Sequence, residues 1–393
     1  MKILINDVEI ITQKGTIPHG SILISDGVIE AVSDKVSTPT DVDVVYDGKG
    51  LYAAPGFIDI HVHGGGGVEF LNAEPEDIRK GCLAHLKHGT TTIIPTASAA
   101  PLDMLLKTID NVKTAKELTA ECTIAGVHLE GPFLSPAQCG AQSSDVMLLP
   151  TEDVWNTLFD RWEGGVKIMG VAAELEGALE LGEAMRSRGI LATISHSNAN
   201  YKECVAALAH GYSDITHIYS GCSMVHRNNG YRSGGVVEAG LLEDGFTVQV
   251  IADGKHLPAE LLRLIYKCKG ADQISLITDA LFPTGCDLPE GTVVHQSTGV
   301  DAVLEDGVMK MPDRQAFAGS IATTDRLVKN MVKLADVPLW DAVTMVTKTP
   351  ARVVGLDAHK GSIAAGYDAD IVLLNRDLDV VKVIANGNFV TAE

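Results

Sequence analysis

Ten residues, Pro55-Gly56-Phe57-Ile58-Asp59-Ile60-His61-Val62-His63-Gly64, hold the densest chemistry in the chain. They read as a strand, and a strand sends alternate side chains to opposite faces. On that pattern Ile58, Ile60 and Val62 share one face, and Asp59, His61 and His63 the other. Two imidazoles on one face of a buried strand can grip a single metal ion. Further residues complete a constellation. Glu130 follows Val127-His128-Leu129 and precedes a strand-breaking Gly131-Pro132; His196 closes Ile194-Ser195; His217 follows Ile215-Thr216; Asp279 follows Ile277-Thr278. Neutral imidazoles and carboxylates suit Zn²⁺, Fe²⁺ or Mn²⁺. His61, His63, His196 and His217 with a shared Glu130 supply enough donors for two divalent ions. A bound cation lowers the pKa of its water to about 7. Asp279 is placed to take the proton from that water and return it to a leaving amine. The set describes metal-assisted hydrolysis.

Those residues meet only if the fold brings several strand ends together. The middle of the chain alternates strands and helices. Strands are expected around His61 and at 90–94, 123–129, 166–173, 190–195, 214–219, 246–251 and 273–278. Helices are expected between them at 75–88, 102–118, 176–188, 201–210, 236–242 and 259–268. Eight such units, with no Gly-x-Gly-x-x-Gly after the first strand, favour a closed (β/α)₈ TIM-like barrel over a doubly wound sheet. The candidate residues then stand at the ends of strands 1, 3, 5, 6 and 8, on the catalytic face of such a barrel.

Both termini are strand-rich, with hairpin turns at Asp26-Gly27 and Asn386-Gly387. This predicts a small β-sandwich built from residues 1–54 and 358–393, flanking a barrel over 55–357. Between 281 and 315 the pattern turns to strands again, with a turn at Asp306-Gly307. That segment reads as an insertion near the barrel mouth or an addition to the small β-domain. Helices follow at 321–334 and 339–346.

The bulk numbers narrow the function class. At 393 residues, 46% hydrophobic, the chain can fill a large core and a smaller one. No apolar run approaches the ~18 residues of a membrane span. A formal charge of −20, from 51 acidic and 31 basic residues, argues against nucleic acid or an anionic membrane as partner. An anionic small molecule would need local cations. Seven cysteines with no Cys-x-x-Cys indicate neither a disulfide framework nor a thiolate zinc site, and point to a reducing cytoplasm. Acidic Asp7 comes too early for a secretory leader.

The finer motifs carry a resemblance. His88-Gly89-Thr90-Thr91, His128-Leu129-Glu130-Gly131-Pro132-Phe133, Ser195-His196-Ser197-Asn198-Ala199, Ala252-Asp253-Gly254-Lys255-His256, Thr278-Asp279-Ala280 and Ala318-Gly319-Ser320 together resemble the N-acetylglucosamine-6-phosphate deacetylase family of the amidohydrolase superfamily. The similarity runs over nearly the whole chain. It implies a homodimer, one or two bound metals, and removal of acetyl from an amino-sugar phosphate. It assigns Glu130, His196 and His217 as metal ligands, Asp279 as the catalytic aspartate and His256 as a substrate contact. The His61–His63 pair favours two metals, Zn or Fe with Mn possible. Lys167 falls too deep on strand 4 to bridge metals as a carboxylated lysine, so Glu130 takes that role.

Departures from the family cluster where substrate would bind. Ile218-Tyr219-Ser220-Gly221-Cys222 replaces a segment that meets the phosphate, with the Ser220 and Gly221 amides as stand-ins. Gln142 stands where a histidine is common, and donates a hydrogen bond without carrying charge. Arg232, ahead of Ser233-Gly234-Gly235, occupies the position of a phosphate-binding arginine, with Arg227 and Lys255 as second candidates. Cys222 reads as a buried inert thiol. The resulting expectation is deacetylation of N-acetylglucosamine 6-phosphate. The alternatives are N-acetylgalactosamine 6-phosphate, an unphosphorylated sugar, or remotely a non-enzymatic scaffold.

Overall fold

The computed structural model describes residues 1–37 and 41–390. Residues 38–40 and 391–393 of the expected β-spans lie outside the described residues. Eight strands form a parallel cylinder: Phe57–Val62, Thr90–Ala97, Val127–Glu130, Val166–Val171, Leu191–Ile194, Tyr212–Ile215, Thr247–Val250 and Ile274–Leu276, called barrel strands 1 to 8. Each pairs with the next in parallel register from strand 1 to strand 8.

Strands 8 and 1 meet at the top. Asp279 N donates to His61 O at 2.9 Å and His63 N to Ala280 O at 2.9 Å. Lower down, the carbonyls of Met345 and Val346 accept from Leu276 N and Ile58 N, both at 2.8 Å, filling the gap between the two strands. Asp59 reinforces this seam. Its Oδ1 accepts from the amides of His61 and Thr278, both at 3.3 Å, and its Oδ2 from Thr278 Oγ1 at 2.5 Å. Burial pushes Asp59 up to about 6, against those bonds. Asp59→Ala would strand the Thr278 donors in the interior. We expect it to lower unfolding free energy by about 3 kcal/mol, read from urea unfolding midpoints; a loss under about 1 kcal/mol would contradict the seam.

Strand 1 does not keep the strict alternation its sequence suggests. Its register slips between Asp59 and Val62. Ile58 and Ile60 pack with Ile94, Ile168, Leu191 and Ile277, whereas Val62 joins the larger cluster of strand and helix residues. Such a bulge re-aims side chains near an active site. Strand 6 ends at Ile215, so His217 lies in a turn two residues beyond it rather than on one face with Ile215. The expected third strand at 123–129 is split into Thr123–Ile124 and Val127–Glu130.

The helices follow the apolar periodicity at Pro75–Leu86, Leu102–Leu118, Ala178–Ser187, Tyr201–Ala209, Val236–Leu242 and Ala259–Lys269. Asn200 caps the fourth of these, accepting from Lys202 N and Glu203 N while Glu203 returns a bond to Asn200 N. Helices at Glu152–Asp160 and Lys348–Val353 were not expected from the sequence.

The terminal strands form one eight-stranded sheet. It runs Asn388–Phe389, Val380–Ala385, Ile371–Leu374, Tyr52–Pro55, Lys2–Thr12, Gly15–Ser25, Val28–Ser33, with Val44–Asp47 also on Lys2–Thr12. Bulges after Ile5 and Val8 interrupt its longest pairing, and Ile3, Ile5, Val8, Ile22, Ile24, Ile371 and Ile384 share its separate core. The segment after strand 8 forms its own sheet, Val293–His295, Asp301–Glu305, Val308–Lys310 and Phe317–Gly319. It sits at the barrel mouth and does not pair with the terminal sheet. No described helix is long and apolar enough to cross a membrane.

Candidate active site

The six residues singled out from strand ends come together at the top of the barrel. His196, His217 and Asp279 each take a left-handed backbone, with φ of 42°, 25° and 47°. Non-glycine residues hold that conformation at a cost of roughly 1–3 kcal/mol each, and it concentrates at functional sites. Here it falls just past the ends of strands 5, 6 and 8, at the three residues whose side chains reach the cluster. Gly221 (φ +57°) packs on His196, where a Cβ would lie 2.6 Å from the ring Nδ1, so only glycine lets the two segments approach.

Glu130 is the hub. Its Oε1 lies 2.9 Å from His217 Nε2, 3.2 Å from His196 Nε2 and 3.6 Å from His61 Nε2. Its Oε2 lies 3.3 Å from His63 Nε2. Asp279 Oδ1 stands 3.3 Å from His63 Nε2 and 3.5 Å from His61 Nε2. Donors about 2.0–2.1 Å from a tetrahedral zinc stand roughly 3.3 Å apart, so this spacing fits a metal. Among the described residues, two sets have all their donor atoms within 4.8 Å of one another: His61, Glu130 and His217, and His61, His63 and Asp279. His196 joins through Glu130 and faces His217 with ring centroids 4.9 Å apart.

Each imidazole is aimed by its other nitrogen, as metal-binding histidines are. His196 Nδ1 donates to Gln138 O at 2.8 Å and His217 Nδ1 to Ser220 O at 3.0 Å. His63 Nδ1 meets Ser98 Oγ at 3.0 Å. His61 Nδ1 donates to Gln249 Oε1 at 3.0 Å, and Gln249 Nε2 donates in turn to buried Asp214 at 2.8 Å. Gln249→Ala would free the His61 ring; we expect metal affinity to fall roughly 10–100-fold. Chelator competition measures this, and an unchanged affinity would remove the relay from the account.

The charges favour a cation. Burial alone would raise Glu130, but the surrounding imidazoles hold it well below the usual carboxylate range. Burial opposes a charge on His63, yet Asp279 and Glu130 outweigh it and push the ring up to about 10. His128 is different: burial keeps it neutral, with its ring edge-on to His61 at 4.6 Å. It backs the cluster without joining it.

Above the cluster is a cavity of about 320 Å³, bordered by Ser98, Gln142, Tyr219, Ser220, Gly221, His256 and the mouth insertion. Residues 52–390 match the amidohydrolase family. The chain belongs to the amidohydrolase family. It is 30% identical to an N-acetylglucosamine-6-phosphate deacetylase of Bacillus subtilis, covering 98% of this chain and 96% of that protein. It is 28% identical to an N-acetylgalactosamine-6-phosphate deacetylase of Escherichia coli O157:H7, covering 96% of each. The crystal structure of N-acetylglucosamine-6-phosphate deacetylase from Pasteurella multocida superposes with a TM-score of 0.93 at 25% identity, over 100% of both chains.

In this amidohydrolase Gln142 reaches the hub itself. Its Nε2 donates to Glu130 Oε2 at 2.6 Å while its Oε1 accepts from Ala99 N at 3.0 Å. His256 lines the cavity with Nδ1 held by Asp253 at 2.8 Å, leaving Nε2 for a ligand. Cys222 is buried, and burial pushes its thiol up to about 12, so it is inert.

Arg232 does not border the cavity of its own chain. It lies on an exposed hairpin, His226–Asn228 with Tyr231–Ser233, where its guanidinium bonds the Gly230 carbonyl at 3.1 Å. Neither it, Arg227 nor Lys255 borders the cavity, and no lysine or arginine does so among the described residues. The hairpin is largely exposed, which the spacing to Ser233-Gly234-Gly235 does not reveal. Ser98, Tyr219, Gln296 and Phe317 also border the cavity and were not singled out from the sequence.

Proposed function

We propose that this amidohydrolase removes the acetyl group from N-acetylglucosamine 6-phosphate, giving glucosamine 6-phosphate and acetate. The observation that carries the reading is the cluster of four imidazoles and two carboxylates at the floor of a cavity walled by neutral hydrogen-bonding groups. The names of the relatives supply the substrate class. His61, His63, Glu130, His196 and His217 would hold the metal, two ions per subunit, Zn or Fe with Mn possible. A cation held there polarises the acetyl carbonyl and acidifies a water. Asp279 takes a proton as the new C–O bond forms and passes it to the amine nitrogen as the C–N bond breaks. His256 and the Ser220-Gly221 segment orient the sugar, and Gln142 steadies Glu130 beside the scissile carbonyl.

The reading includes a cytoplasmic homodimer. Arg232 stands off its own cavity, so a grip on phosphate requires its hairpin to reach the cavity of a second copy. Tyr231, 82% exposed beside it, offers surface for that contact. A mass of twice 41.6 kDa in solution is the expected light-scattering result.

A second reading, the galactosamine epimer, is favoured by the Escherichia coli relative of nearly equal identity and coverage. Initial rates of acetate release from both 6-phosphates and from unphosphorylated N-acetylglucosamine decide between them. We expect kcat/KM for N-acetylglucosamine 6-phosphate to exceed the others by at least about 10-fold. A preference for the galactosamine ester would replace the first reading with the second.

A further inference from the structure

The mouth insertion contributes Gln296, Ala316, Phe317, Ala318 and Gly319 to the cavity wall, and Gln296 is the only polar side chain among them. Gln296 begins a tight turn. Its amide donates to Val300 O at 3.0 Å, and Gly299 N donates to Gln296 O at 2.9 Å. The next residue, Ser297, donates both its amide and its Oγ to Glu69 Oε2, each at 2.8 Å. Glu69 lies on the short hairpin Gly64–Gly65 with Val68–Glu69, immediately after His63. The turn that carries Gln296 is therefore tied to the segment that carries a proposed metal ligand.

Gln296 Nε2 is closed to solvent and has no hydrogen-bond partner among the described residues. A shielded, unpaired amide is costly and rare in folded proteins. Gln296 borders the cavity, and a turn of its side chain would bring that amide to a ligand atom. The nearby chemistry limits which one. The Glu69 carboxylate, joined through Ser297, repels a phosphoryl group. A sugar hydroxyl is uncharged, and it can accept from one end of a carboxamide and donate to the other.

We propose that Gln296 determines specificity by hydrogen-bonding a ring hydroxyl of the amino sugar, and that Glu69 is the positioning residue for its turn. This rests on the amino-sugar reading of the site.

Acetate-release kinetics test it, using the metal-loaded wild type, Q296A, E69A, E69Q and the Q296A/E69A double variant. The substrates are N-acetylglucosamine 6-phosphate, its 3-deoxy and 4-deoxy analogues, and the unphosphorylated sugar. Q296A should raise KM roughly 5–10-fold on the parent substrate with kcat little changed, the loss of one neutral hydrogen bond. That penalty should vanish on one deoxy analogue and persist on the unphosphorylated sugar. E69A should reproduce the KM rise, the double variant should be no worse than either single one, and E69Q should restore the wild-type KM because its amide oxygen still accepts from Ser297. A wild-type KM in Q296A, a penalty equal on every deoxy analogue, or a penalty lost with the phosphate would overturn the role of Gln296. Additive E69A and Q296A effects would remove Glu69 from it. Wild-type inactivity on all four sugars would overturn the N-acetylglucosamine reading and this inference with it, whereas an active wild type with an indifferent Q296A overturns the inference alone.

Discussion

Asp279→Asn keeps its metal and loses at least about 10³-fold in kcat, the size of effect expected when a positioned acid–base group is removed. The carboxylate stands 3.3 Å from His63 Nε2 and 3.5 Å from His61 Nε2, on a residue held at φ 47° at the end of the barrel's last strand. Asparagine preserves the size of the side chain and one oxygen at that place, so the cluster keeps a neutral donor there. What it loses is the capacity to take a proton from water and give it to nitrogen. Burial would raise Asp279, but its hydrogen bond to His63 and the surrounding imidazoles hold it below its ordinary value. It is therefore ionised and ready to accept at neutral pH. Metal content by elemental analysis, run beside acetate release, separates the two functions. A variant with wild-type kcat would exclude Asp279 from proton transfer.

Glu130→Ala has the larger effect on metal. No other side chain in the cluster meets all four imidazoles, with contacts of 2.9 to 3.6 Å. Loss of a histidine's supporting partner costs roughly 10–100-fold in metal affinity, and loss of the shared carboxylate exceeds that. We expect purified Glu130→Ala to hold less than about one hundredth of the wild-type affinity, and to release no measurable acetate. The metal-free wild type adds a check on sign. His63, pushed up to about 10, binds its proton at pH 7 and must lose it to act as a ligand. Metal entry then releases protons, and affinity rises with pH through that value and falls in acid. Titration calorimetry in buffers of different ionisation enthalpy counts those protons. Retained metal in Glu130→Ala, or uptake without proton release at pH 7, would contradict the hub.

Much of the barrel and of its site is legible in the sequence. The alternation of apolar runs and helices indicates eight βα units, and strand ends are where a parallel barrel gathers its chemistry. That logic located His61, His63, Glu130, His196, His217 and Asp279 without a contact map. Other features escaped it. Period-two reasoning places Ile58, Ile60 and Val62 on one face, but the slip between Asp59 and Val62 divides them. Positive φ at His196 and His217 is set by tertiary packing, since histidine tolerates that conformation but the local sequence does not require it. The cavity wall is assembled from loops far apart in sequence, so Gln296 carried no signal of its own. Arg232 sits on an exposed hairpin outside its own cavity, a placement that the motif around it does not reveal. The helix Glu152–Asp160 should have been found, since Trp155, Leu158 and Phe159 recur at helical spacing and are buried.

If the cluster around Glu130 holds a metal that serves cleavage of an N-acetyl amide, turnover depends on that ion. Acetate release from N-acetylglucosamine 6-phosphate by chelator-treated protein, before and after addition of Zn²⁺ or Fe²⁺, tests it most directly. We expect no turnover in the metal-free protein and restoration of turnover by the added ion, with none restored in Glu130→Ala. Turnover that is indifferent to chelation, or a metal-loaded protein that releases no acetate, would contradict it.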